Sequence, residues 1–116
     1  MIGYTSATIL GTVTADPEER SVGNDKSLVE FTLAVNEPKG QGEEKASFYD
    51  IVVWGEREQE KMLQYVKKGT KLFAQCSFTQ DKWADKETGK GRSKISFKLI
   101  ASRLLSPKKE EDDEPY

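Results

Sequence analysis

Residues 47–55, Ser-Phe-Tyr-Asp-Ile-Val-Val-Trp-Gly, constrain the fold more than any other stretch of the chain. They are β-branched and aromatic, contain no proline and end on a glycine, the pattern of a strand. Successive strand side chains point to opposite faces. Phe48, Asp50, Val52 and Trp54 therefore share one face, and Tyr49, Ile51 and Val53 the other. Both faces are apolar enough to need cover, yet a core takes only one. Phe48 and Trp54, six residues apart on the same face, fit ordinary core packing, a platform for flat ligands or a surface for another subunit.

The neighbouring segments extend this into a mostly β chain. Residues 4–14 alternate loosely and read as a first strand, with Gly11 marking a bulge or a close backbone approach. Residues 16–20 read as a polar turn and 23–27 as a second turn cluster. From 28 to 36 the alternation is clean, with Val29, Phe31, Leu33 and Val35 on one face and Glu30, Thr32, Ala34 and Asn36 on the other. Residues 37–46 read as a mobile polar loop joining this strand to the 47–54 strand as a long hairpin. A helix is predicted over 56–68, with acids at its start, Lys67 and Lys68 at its end, and Gly69 as a left-handed cap. A fourth strand is predicted over 70–79, and residues 80–83 lead from it into a polar turn at 84–91. A fifth strand follows over 93–102. Three strands, one helix and two strands is the order of an all-β, five-stranded OB-type barrel. A sandwich would need more strands.

With 116 residues the chain is expected to form one domain over 1–105, followed by a short linker and a disordered acidic tip over 106–116. The single cysteine, Cys76, fits a buried thiol in a reducing compartment. No apolar run approaches the roughly 18 residues of a membrane span, and no basic-then-apolar leader opens the chain, so a soluble, cytoplasmic protein is expected. Histidine is absent, which removes the commonest general base and, with one cysteine, any ordinary zinc site. There is no GxxxxGK[ST] loop and no GxGxxG turn. Acids are plentiful, but none is paired in an apolar setting. These observations imply no enzyme, no metal and no cofactor.

The net charge of −2 conceals an asymmetry. Five acids crowd residues 110–114; without them eighteen basic residues face fifteen acidic ones, a balance of +3. From Lys82 to Lys109 nine basic side chains stand against Asp85 and Glu87. A basic segment with an acidic end is an interaction pattern, although solvated surface and a frayed terminus would produce it too. The predicted hairpin of the last two strands carries Lys82, Trp83, Lys86, Lys90, Arg92, Lys94 and Lys98. Lysines attract phosphates whatever the sequence, and aromatics stack bases at roughly 1–3 kcal/mol each. Trp83 with Phe48 and Trp54 on the neighbouring strand describes a groove for single-stranded nucleic acid. The lysine-rich, stacking surface offers no reader of a 2′-hydroxyl, which favours DNA over RNA.

The chain resembles the bacterial and phage single-stranded DNA-binding proteins along nearly its whole length. The resemblance is carried by Ile9-Leu10-Gly11 with residues 16–20, by residues 31–36 and 48–55, by Tyr65-Val66-Lys67-Lys68-Gly69, and by Lys82-Trp83-Ala84-Asp85, in this order and spacing. It implies DNA stacking on Phe48, Trp54 and Trp83; the charge of the hairpin adds phosphate contacts from Lys82, Lys86, Lys90, Arg92, Lys94 and Lys98. It also implies a homotetramer joined through the first strand, with Tyr49 nearby, and roles in replication, recombination and repair. Asp112, Asp113, Glu114, Pro115 and Tyr116 resemble the family's partner-docking tip, with Glu114 and Tyr116 in place of an aliphatic residue and a phenylalanine. The same acids could instead compete with DNA for the basic groove. Lys39 stands near the place of a missing loop tryptophan, and Asp50, Thr79 and Asp81 stand where the family tends to be basic or polar. These changes imply fewer phosphate contacts. Outside this reading stand a replication-restart accessory protein, an OB-type protein-interaction module and a carboxylate-dependent hydrolase.

Overall fold

The computed structural model describes residues 1–105. In chain order the elements are β1 (Ala7–Val13), β2 (Glu18–Gly23), β3 (Lys26–Gly40), β4 (Glu43–Val53), α1 (Glu56–Tyr65), β5 (Lys71–Ala84) and β6 (Gly91–Leu104). Neighbours run β1-β5-β6-β4-β3, and β3 returns to β1, so these five strands close a barrel with α1 between β4 and β5. All pairings are antiparallel except β4 with β6, where only Ile51–Phe97 and Val52–Lys98 pair, in parallel. The β3–β1 closure is also brief, through Thr12–Ala34 and Val13–Leu33.

Alternation fills the inside. Val29, Phe31 and Leu33 of β3, Ile51 and Val53 of β4, Leu72, Ala74 and Cys76 of β5, and Leu99 of β6 form one core with Ile9 and Val13 of β1. Met62 and Val66, from α1 and its end, complete it. Tyr49 lies on the inner side, edge to face with Phe97 at 5.7 Å, and Phe97 in turn packs on Phe78. Gly11 is a close approach: a Cβ there would lie 2.5 Å from the Ala34 carbonyl oxygen. Only a residue without one lets β1 meet β3.

Several segments depart from the sequence reading. Residues 18–23 form a sixth strand, β2, rather than a turn; every residue of it is exposed, so it has no apolar alternation to read. Its backbone ladder with β3 and the Arg20–Glu30 ion pair at 2.7 Å hold it, and Asn24 and Asp25, both with positive φ, make the tight turn. Residues 37–46 are not a long loop. β3 and β4 stay paired out to Gly40–Glu43 and reverse through Gln41 and Gly42, both at positive φ. The helix ends at Tyr65, short of the predicted 68, because Val66 turns extended and drops into the core. Lys68 N–H then donates to Asp16 Oδ1 and Gly69 N–H to the Val13 carbonyl, so neither caps the helix. The last two strands, β5 and β6, run on to Ala84 and Gly91, which puts Trp83 inside a strand. The first strand is shorter than residues 4–14; Thr5 ties to the Phe78 backbone through its hydroxyl instead.

Among the described residues no helix is long and apolar enough to cross a membrane. The tip residues Asp112, Asp113, Glu114, Pro115 and Tyr116 lie outside the described residues.

Candidate nucleic-acid interface

Strand register sorts the predicted site residues by face. Because Ile51 and Val53 point into the core, Phe48, Asp50, Val52 and Trp54 point outward. Phe97 and Leu99 point inward on β6, which turns Arg92, Lys94, Ser96 and Lys98 outward. On β5 the same parity turns Thr79, Asp81 and Trp83 outward, with Trp83 opposite Arg92 and Asp81 opposite Lys94. The Val52–Lys98 pair joins β4 to β6, so these side chains belong to one continuous outer face. Phe48 is 64% exposed, Trp54 41% and Trp83 50%. All three rings are therefore surface residues of this chain.

The structure brings half of the six predicted cations, Arg92, Lys94 and Lys98, to this face. Lys94 and Lys98 lie on it. Lys82 has the opposite strand parity to Trp83, although both, with Arg92 and Ser93, line one shallow hollow toward the end of the hairpin. Lys86 and Lys90 sit in the turn at the hairpin tip. Arg92 is already engaged: its Nε and Nη2 donate to Asp85 Oδ2 at 3.2 and 3.1 Å. Asp85 also accepts the Glu87 and Thr88 backbone N–H groups on Oδ1. These backbone bonds first, and Arg92 after them, hold its carboxyl below the usual carboxylate range. Asp85 thus builds the tip turn and holds the guanidinium that sits opposite Trp83.

Acidic groups punctuate the same face. Asp81 accepts from Ser96 Oγ at 3.1 Å, and Asp50 accepts from Thr32 Oγ1 at 2.6 Å. Between β3, β4 and the start of β6 lies a groove of about 430 Å³, lined among others by Glu30, Thr32, Asp50, Val52, Lys94 and Ser96.

Behind the face, Gln59 of α1 is buried and holds the end of β4. Its Nε2 donates to the Trp54 carbonyl at 2.8 Å and to the Ser27 carbonyl at 3.0 Å, and its Oε1 accepts from Ser27 Oγ. Sequence reasoning missed this residue. A glutamine on an otherwise polar helix gives no signal until the helix is docked.

A closed OB-type barrel with one outer face of exposed aromatics and scattered lysines defines a class of binding domain. The particular family follows from comparison. Residues 4–105 match the model of the Single-strand binding protein family, and the chain belongs to that family. It is 31% identical over 102 residues to single-stranded DNA-binding protein 1 of Synechocystis sp., covering 88% of this chain and 84% of that one. It is also 31% identical over 111 residues to the single-stranded DNA-binding protein of Thermosynechococcus vestitus, covering 96% and 90%. Among solved structures, a mitochondrial single-stranded DNA binding protein of S. cerevisiae superposes with a TM-score of 0.76 at 17% identity, over 90% of this chain and 97% of that one. The Plasmodium falciparum protein solved in complex with single-stranded DNA gives 0.76 at 19% identity, over 91% and 98%. At those identities the structures establish the shared fold.

Proposed function

We propose that this protein binds single-stranded DNA independently of its sequence, by base stacking and phosphate contacts, coating it during replication, recombination and repair in the cytoplasm. The observation that carries this is the exposure of Phe48, Trp54 and Trp83 on one outer face. A domain this size has a core in which to hide such rings, and leaving three outside on one side marks a binding surface. Flat bases stack on them at roughly 1–3 kcal/mol each. Lys94 and Lys98 on the face, with Lys86 and Lys90 at the tip, take phosphates. The face does its work by binding alone, without catalysis.

Assembly as a homotetramer through β1 is part of the proposal. Among the described residues β1 pairs with β3 only at Thr12 and Val13, and Leu10 stands 54% exposed before them. The acidic tip, residues 112–116, is proposed to dock replication and repair proteins.

Trp54 and Trp83 are the only tryptophans of the chain, so intrinsic fluorescence tests the reading directly. Titration with oligo(dT) is expected to quench strongly, and a duplex of equal length hardly at all. With about four free lysines per protomer, the log–log salt slope is expected to be about −3 or shallower, at roughly −0.7 per phosphate. No quenching by the single strand, and no competition, would assign the aromatic face to a protein partner instead.

A further inference from the structure

Asp50 stands on the outer face of β4 between Phe48 and Val52, about 7 Å along the strand from the Phe48 ring position by strand rise. Its carboxylate is held. Thr32 lies directly opposite on β3, and its hydroxyl donates to Oδ1 at 2.6 Å. The groove of about 430 Å³ opens over it, with Lys94 and Ser96 of β6 on the far wall and Asp16, Glu18 and Glu30 toward β2. Glu30 is paired with Arg20. Asp50 is thus an oriented acceptor on the same outer face as the exposed Phe48, two residues further along β4, in a groove that Phe48 itself does not line.

We infer that Asp50 reads the edge of a base stacked on Phe48 and makes this position of the face prefer cytosine to thymine. The inference rests on the single-strand reading above and deepens it. A carboxylate only accepts hydrogen bonds. Cytosine offers an N4 amine donor where thymine of the same size offers the O4 acceptor. Both pyrimidines stack alike on Phe48, so the difference between them falls on Asp50, as a hydrogen bond to one and an acceptor facing an acceptor in the other. Thr32 fixes the direction of Oδ1 and leaves Oδ2 for the amine. Lys94 across the groove, and Lys98 further along β6, remain for the backbone that leads into and out of the site. Because Asp50 is exposed, the discrimination stays at the low end for a contact to a base edge, about fivefold to tenfold.

The test is fluorescence titration of the full chain, of Asp50→Asn and of Asp50→Ala with oligo(dC) and oligo(dT) of one length, at mildly alkaline pH where oligo(dC) does not pair with itself. Asn is nearly isosteric and presents a donor as well as an acceptor, so it serves either pyrimidine. The ratio of oligo(dC) to oligo(dT) affinity is expected to fall about fivefold in both variants, while oligo(dT) itself binds more tightly than to the wild type. An equal gain for both oligonucleotides, with the ratio unchanged, would show that Asp50 merely repels phosphates, and would overturn the inference while leaving single-strand binding intact. Failure of the wild type to bind either oligonucleotide would overturn both readings.

Discussion

Cys76 sits at the centre of the barrel with no exposed surface, on the strand that β1 and β6 flank. Burial pushes its thiol up to about 11, from an ordinary 9.0. The sign of the consequence follows. The folded state holds this proton more tightly than the unfolded one, so the stabilisation is complete below about pH 9 and is lost as pH rises through 11. The loss amounts to something on the order of 2–3 kcal/mol. Chemical denaturation of the wild type and Cys76→Ala between pH 8 and 11 is expected to show the wild type losing stability faster, on top of whatever both share. In the native state at neutral pH the thiol is expected to resist alkylation and to react at the rate of unfolding. This burial is legible in the apolar alternation of residues 72–78 alone. Gln59 is not legible in that way, because its value lies in two carbonyls, Trp54 and Ser27, that only the docked helix brings to it.

At the scale of elements, what the sequence discloses tracks burial. β3 and the inner half of β4 alternate because one side faces the core, and both read correctly. β2 and the outer parts of the β3–β4 and β5–β6 hairpins are solvated on both sides, so no period marks them. Polar composition with Gly40 and Gly42 resembles a loop, although the same glycines flank the tight reversal that a hairpin needs. The helix end reads too late because Lys67, Lys68 and Gly69 imitate a capped terminus, whereas Val66 leaves for the core. Alternation alone puts Phe48 and Trp54 on one face but leaves open whether that face is core or surface, and the place of Trp83 and the parity of Lys82 depend on strand β5 continuing past residue 79. Gly11 provides an element-level test. In Gly11→Ala the new methyl meets the backbone of Ala34, which cannot swing aside as a side chain would. β1 and β3 must part, at a cost of about 1–3 kcal/mol. Urea denaturation is expected to show that loss with little change in m. An unchanged midpoint would mean that the closure is looser than it looks.

At the scale of the whole molecule, the barrel supports two long hairpins, β3–β4 and β5–β6, that leave it on either side of one outer groove. The principal extents of 58, 46 and 34 Å reflect those arms. Between them the barrel is closed by the two parallel rungs Ile51–Phe97 and Val52–Lys98 and nothing longer. Every other strand pair but β1–β3 is stitched over a greater length. Such a seam is the place where a barrel breathes, and it lies under the aromatic face. A strand of DNA laid from Phe48 to Trp83 would cross it as a splint crosses a fracture. Binding would then slow amide hydrogen exchange at 51–52 and 97–98 more than in the core strand β5, and thermal stability would rise with DNA concentration in step with occupancy. Exchange slowed uniformly over the chain would mean that the strand lies elsewhere. Laid so, the nucleic acid would be a removable part of the barrel wall, and the protein would be mechanically most complete when it is at work.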